Sequence, residues 1–358
     1  MPDMKENFGI YIHWPFCLSK CPYCDFYSCP SKKWDADTFY NGYLRDLNLY
    51  PPRPVSSVFF GGGTPSLMPV SLVERILNTI DEKFGILPNA EISMEANPDA
   101  IDKEKMLTLK NIGINRLSLG VQALNSPDLK KLGRLHSLET ALARIEEMQS
   151  VFPNHSIDLI YTRPDQSLAD WEKELRFALS LNLPHLSLYQ LTIEDGTAFA
   201  RRNIILPDDE TVRQMYLLTL DMTEEKTPFY EVSNFAKKGF ECRHNLLYWR
   251  KEDYIGIGPA AHGRIQNKGF QNPPDIQKWM DGYRETENLS DEELFEERLI
   301  MGLRLREGIS DKGVDKASLL KATQQGWISH QKGRITPTPE GFLMLNKLIL
   351  LLAENYPS

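Results

Sequence analysis

The sequence predicts an α/β protein built on a partial (β/α)6 barrel, with a C-terminal α+β extension that ends in a winged-helix-like region. Three observations carry this expectation. Six short β-rich runs alternate with stretches of helical length through the first two thirds of the chain. Residues able to do chemistry fall where those runs end, as they do in βα barrels. Beyond about Pro228 the alternation gives way to mixed short strands and loops. A length of 358 residues accommodates a barrel-sized domain with a smaller appendage.

The strand candidates are residues 9–13, 57–60, 90–95, 116–122, 156–160 and 185–191. Between them lie helical stretches such as 70–84, 103–111, 138–151 and 168–181, long enough for right-handed parallel crossovers. The domains expected are therefore 1–228 for the partial barrel, 229–291 for a mixed β and loop extension, and 292–358 for the C-terminal unit. That last segment reads as helix, helix, short hairpin, helix, the order that suggests a winged helix. Its final apolar run, 342–353, is interrupted by Asn346 and Lys347 and is shorter than the roughly 20 residues a bilayer span needs. It is expected to be a packed terminal helix.

Composition excludes several classes of function. A hydrophobic fraction of 41% with 25% charged residues is that of an ordinary globular protein. A net charge of -8 argues against a broad phosphate-binding face, because nucleic-acid affinity depends on Lys and Arg neutralising phosphates. The polar start, 1–7, has no apolar core of a secretory signal, so a cytoplasmic location is expected.

Of the five cysteines, three fall within eight residues, in Cys17-Leu18-Ser19-Lys20-Cys21-Pro22-Tyr23-Cys24. Clustered thiolates suit zinc, copper(I) or iron-sulfur centres. Electron-transfer clusters and structural zinc sites use four protein ligands, whereas three leave a metal position open. The alternative is a zinc site that recruits His13; otherwise His13 is a hydrogen-bonded support of the loop. Cys29 and Cys242 read as small thiols without a role. Gly61-Gly62-Gly63 follows the second strand and permits close approach to the backbone, with peptide N–H groups expected to be accessible. Glu95 ends the third strand, where a carboxylate can accept hydrogen bonds from ribose hydroxyls.

Longer motifs surround these residues: Tyr11-Ile12-His13-Trp14-Pro15-Phe16-Cys17, Cys24-Asp25-Phe26, Gly61-Gly62-Gly63-Thr64-Pro65-Ser66, Met94-Glu95-Ala96-Asn97-Pro98, Gly120-Val121-Gln122 and His244-Asn245-Leu246-Leu247-Tyr248-Trp249. Through them the sequence resembles the radical-SAM proteins of the coproporphyrinogen-oxidase-like group, and within it the haem-chaperone branch. The resemblance implies a [4Fe-4S] cluster on Cys17, Cys21 and Cys24, with one iron open to S-adenosylmethionine. It implies that Gly62, Gly63 and Thr64 meet the methionine amino group. Glu95, Gln122, Arg134 and Asp158 complete the S-adenosylmethionine shell, with Tyr11 and Tyr23 near the cofactor. His244 becomes the candidate haem ligand and His262 a weaker second. The implied function is haem binding and transfer to acceptor proteins, with transient docking where the acceptor is membrane-bound. The alternative is oxygen-independent coproporphyrinogen III oxidase activity, decarboxylating two propionates to vinyls; no catalytic residue is assigned for it.

Two departures from the group's pattern stand out. The oxidases carry a further cysteine two residues after the triad, where this chain has Phe26. The segment Tyr161-Thr162-Arg163-Pro164-Asp165-Gln166 replaces a loop that usually contains glycine.

Overall fold

The computed structural model describes residues 7–31 and 33–354. Six strands, β1 (Phe8–Trp14), β2 (Val55–Gly62), β3 (Ile86–Ala96), β4 (Arg116–Gln122), β5 (Asn154–Tyr161) and β6 (His185–Gln190), pair in parallel in chain order. Helices α1 (Ala36–Asn48), α2 (Val70–Phe84), α3 (Lys103–Asn111), α4 (Leu138–Val151), α5 (Leu168–Ser180) and α6 (Asp209–Thr223) lie outside the sheet. The helical segment expected at 70–84 is α2. It buries Leu72, Val73, Ile76, Leu77, Ile80 and Phe84, the spacing that puts one apolar stripe on the sheet. Polar residues start the helices: Asp35, Asp102, Ser137 and Ser167 each accept a backbone N–H of the first turn.

Strand alternation sorts β1 into two faces. Ile10, Ile12 and Trp14 join the outer core, where Trp14 packs against Phe39 of α1. Gly9, Tyr11 and His13 face the lumen, where Tyr11 lies against Phe59.

The 229–291 segment is built into the same sheet. Its strand β7 (Asp253–Ile257) pairs in parallel with β1, so that among the described residues seven strands of this sheet run parallel rather than the six counted from periodicity. The antiparallel strands His262–Ile265, Lys268–Gln271 and Glu285–Asn288 continue that edge. At the opposite edge Asn234–Ala236 pairs antiparallel with β6. Helix α7 (Arg243–Trp249) closes the amino-terminal end of the lumen: the Glu91 carboxylate on β3 accepts the Arg243 and His244 N–H groups, each at 3.2 Å. Asp46 of α1 is the buried tie to this extension, accepting from Gly258 N at 3.0 Å, Asn272 Nδ2 at 3.0 Å and Trp279 Nε1 at 2.7 Å.

The C-terminal unit has its own core of Phe295, Leu299, Leu303, Leu319, Ile335, Leu348 and Leu352. Its helices Asp291–Gly302 and Lys316–Gln324 flank a three-stranded sheet of Ile309–Ser310, Arg334–Pro337 and Ile328–Gln331. The apolar run at 342–353 is divided at Met344 between two helices, Pro339–Leu343 and Leu345–Ala353. Among the described residues no helix is long and apolar enough to cross a membrane.

Candidate functional site

At the carboxyl ends of the parallel strands opens a cavity of about 340 Å³. Eleven of the residues singled out in the sequence line it: Cys17, Cys21, Cys24 and Tyr23 from the cysteine loop; Gly62, Gly63 and Thr64 after β2; Glu95, Gln122 and Asp158 at the ends of β3, β4 and β5; and Arg134. Segments separated by up to 141 positions meet here because parallel βα units deliver every strand end to one face.

The cysteine loop hangs from β1. Cys29 N donates to Pro15 O at 2.8 Å and Ser31 N to Cys17 O at 3.2 Å, so a short parallel pairing of Phe16–Cys17 with Cys29–Pro30 closes it. Cys17 is buried, whereas Cys21 and Cys24 are half-buried. Burial pushes the Cys24 thiol up to about 11, so metal binding there would release a proton. His13 braces this loop: its Nε2 donates to Tyr27 O at 3.0 Å and its Nδ1 accepts from the Tyr11 hydroxyl at 3.1 Å. Burial depresses its pKa to about 4. Both ring nitrogens are engaged, which removes His13 as the fourth ligand of a zinc site.

The glycine turn corrects one expectation. Its N–H groups are not accessible: Gly63 N donates to Trp14 O at 2.7 Å, Thr64 N to Phe16 O at 2.8 Å, and Gly62 N to Glu95 Oε2 at 3.3 Å. Glycine is needed at 62 for its φ of 112° and at 63 because a Cβ would sit 2.6 Å from Phe16 O. With these donors spent, the turn does not form an anion-binding nest of free N–H groups.

Two carboxyls in the lining influence each other, those of Glu95 and Asp158. Burial, reinforced by the nearby Asp158 charge, raises Glu95 to about 8. Asp158 is also raised by burial, against the Ser118 hydroxyl that donates to it at 3.0 Å. Arg134 is fixed by the Asn97 side chain at 2.6 Å and Gly120 O at 2.9 Å, with Nη1 3.3 Å from Cys21 Sγ. Gln122 sits at φ 72° beside a register shift between β4 and β5. A non-glycine residue held in that region marks a local constraint of the kind that clusters at binding sites.

Three sequence candidates are not brought to the cavity. Tyr11, in the middle of β1, lies beneath Gly61 and outside the lining. His244 lies at the other end of the lumen and is fully buried. Its Nδ1 bonds the Ser57 hydroxyl at 2.7 Å and its Nε2 the Tyr248 hydroxyl at 2.8 Å, while the ring stacks on Phe59 with centroids 5.2 Å apart. Neither nitrogen is free for iron, so in this fold the motif is a plug. His262 is exposed at the start of a return strand and also lies outside the cavity lining. Cys242 is buried beside Glu91, with Sγ 3.5 Å from its carboxylate.

Sequence reasoning missed Lys20, Ile160, Tyr189, Leu191 and Glu194 of the lining. Tyr189 carried a usable signal, its place at the end of the sixth strand.

Comparison with known proteins agrees with this architecture. The Radical SAM superfamily pattern matches residues 11–178, and the HemN C-terminal domain pattern matches 289–344. The protein named heme chaperone HemW of Escherichia coli is 39% identical over 268 residues, 72% of this chain and 70% of that protein. Its Bacillus subtilis namesake is 31% identical over 369 residues, covering 94% and 97% of the two chains. The solved structure of coproporphyrinogen III oxidase HemN from Escherichia coli superposes with a TM-score of 0.83 over 98% of this chain and 90% of that one, at 21% identity. The barrel, its edge extension and the C-terminal unit thus form one inherited framework, and the chain belongs to the radical-SAM superfamily, in the HemN-like group close to the HemW proteins.

Proposed function

We propose that this chain is a haem chaperone of the HemW type, which holds a [4Fe-4S] cluster and S-adenosylmethionine in the strand-end cavity and carries haem to acceptor proteins. One observation supports the cofactor part above the others: three thiols on one loop open onto the same cavity as the glycine turn and the Glu95–Asp158 pair. The donor set fits such a cluster, since three sulfur ligands leave one iron position for a small molecule. When bound, the two cofactors supply the one-electron and radical chemistry.

The chain's own groups have separate tasks. Cys17, Cys21 and Cys24 ligate, and Tyr23 shields the loop. The carbonyls at Gly62 and Gly63, with Thr64, accept from the methionine ammonium. Arg134 is placed for the methionine carboxylate beside Cys21. Glu95 and Asp158 accept from ribose hydroxyls, and Gln122 closes the side wall. The chaperone reading draws on the relatives named heme chaperone HemW, at 31–41% identity. It draws also on Phe26, which is 67% exposed where the oxidases of the group carry a further cysteine. Haem is not assigned to His244, for both its nitrogens are occupied.

Anaerobic reconstitution followed by assay with coproporphyrinogen III, S-adenosylmethionine and a reductant tests the reading. The expected result is four irons with sulfide per chain, haem binding, and little or no divinyl product. Robust conversion to protoporphyrinogen would instead make the protein an oxidase, and zinc in place of iron and sulfide would remove the cofactor reading altogether.

A further inference from the structure

The 161–166 loop, which departs from the group's pattern, encloses a buried ion pair that no part of the cofactor reading uses. Thr162 and Asp165 hold φ of 59° and 64°, conformations that glycine adopts without cost and other residues resist. Between them Arg163 turns inward and is only 1% exposed. Its guanidinium forms a two-pronged pair with Glu174 of α5, itself 7% exposed, and its Nε reaches Asp128 Oδ2 at 3.1 Å.

The contacts this pair makes with the main chain are the informative ones. Arg163 Nη1 donates to Ile160 O at 2.6 Å and reaches toward Gln122 O at 3.5 Å. The Glu174 carboxylate accepts the Leu124 N–H, just past the end of β4. Gln166 binds both members, through Arg163 N at 3.1 Å and Glu174 Oε2 at 3.4 Å. On the far side of the loop the Thr162 hydroxyl accepts from Leu191 N at 3.0 Å. Gln122, Ile160 and Leu191 all line the cavity, whereas Arg163 and Glu174 do not.

We infer that Arg163 and Glu174 are positioning residues: a buried clamp that ties the ends of β4 and β5 together and fixes the cavity wall at Gln122 and Ile160 for S-adenosylmethionine. The inference rests on the cofactor reading above. A charged pair suits the task because a planar guanidinium presents fixed, directional donors to carboxylate and carbonyl at once. It also takes over the shaping of a loop that lacks glycine.

The test separates positioning from simple stability. Full-length protein with its cluster reconstituted is compared as wild type, Arg163→Met, the double variant Arg163→Met/Glu174→Leu, and Leu175→Ala, which removes a fully buried side chain of α5. S-adenosylmethionine affinity is read by equilibrium dialysis, cluster content by iron and sulfide, and stability by thermal unfolding. Arg163→Met is expected to weaken binding roughly tenfold, in line with losses of supporting partners around ligand sites, with iron and sulfide unchanged. Leu175→Ala should lower the melting temperature and leave affinity alone. The double variant removes both charges of the buried pair, leaving the partly exposed Asp128 to Asn125 and Lys131, and should regain part of the lost stability. Its affinity should stay weak, because Ile160 O and Gln122 O still lack their donor. Wild-type affinity in Arg163→Met, or affinity that simply follows melting temperature across the set, overturns the clamp. Failure of the wild type to bind S-adenosylmethionine overturns the proposed function and the clamp's role together.

Discussion

Replacing His244 with alanine distinguishes a plug from a haem ligand. The ring is fully buried, bonded to Ser57 at 2.7 Å and Tyr248 at 2.8 Å, and stacked on Phe59. The substitution leaves two hydroxyls in the lumen without a partner, at about 1–2 kcal/mol each. It also opens a cavity the size of an imidazole, for about 2 kcal/mol more. The sum is roughly 4–6 kcal/mol, enough to lower the melting temperature by roughly 10 °C in a chain of this length. The same burial depresses the His244 pKa to about 3. An unfolded histidine takes up its proton near 6.5, so the unfolded state binds more protons in this window. Stability contributed by neutral His244 is therefore present above about pH 6.5 and is lost as pH falls toward 3. Thermal unfolding at pH 7.5 and 5 by circular dichroism, paired with haemin titration below the transition, measures both properties. A flattened acid limb and a large loss of melting temperature, with haem affinity unchanged in the folded fraction, is the expected outcome. A variant that melts like wild type but loses its Soret shift or binds haem tenfold more weakly would refute the argument.

Three further outcomes follow from the same geometry. Glu95 has a folded pKa of about 8, above its unfolded value, so the folded state holds the extra proton and stability falls as pH rises between about 4.5 and 8; Glu95→Gln should flatten that decline in metal-free protein, and a pH profile parallel to wild type would count against it. On the proposed cofactor reading Glu95 ionises as it accepts from the ribose, so the wild type should release a proton on binding S-adenosylmethionine near pH 8 and the same variant should not, readable as buffer-dependent heat in calorimetry. Cys21→Ala, at a half-buried position on the loop, should abolish iron incorporation while changing folding stability by less than about 1 kcal/mol; retention of four irons would remove Cys21 from the ligand set. Asp46→Ala strands the buried donors of Gly258, Asn272 and Trp279 and should cost roughly 3–5 kcal/mol in denaturant unfolding, and a loss below about 1 kcal/mol would show that Asp46 is not the tie between α1 and the extension.

Local chemistry made much of this legible in advance. The stripe from Leu72 to Phe84 specifies α2 by its own spacing. The strand-end placement of Glu95, Gln122 and Asp158 follows from alternating βα units, which need no knowledge of side-chain contacts to bring those ends together. The three cysteines are ligand-like because three thiols within eight residues have few other uses in a chain with no even set to pair.

What the order of residues could not decide is which groups remain free once the chain is folded. His244 and Glu95 each look like an available polar side chain in sequence. Folding buries the first between Ser57, Tyr248 and Phe59 and turns the second into a cavity, and the difference lies in contacts with residues as many as 187 positions away. The N–H groups of the glycine turn are spent on Trp14 and Phe16 for the same reason. The seventh parallel strand, Asp253–Ile257, was hidden too, because its partner β1 lies at the other end of the chain. Sequence by itself determined the six alternating strand and helix units, the clustered-cysteine loop and the end of the barrel where the cavity opens, since periodicity and residue type act locally. Tertiary structure alone decided which donors and acceptors are satisfied, since that depends on partners brought together only by folding.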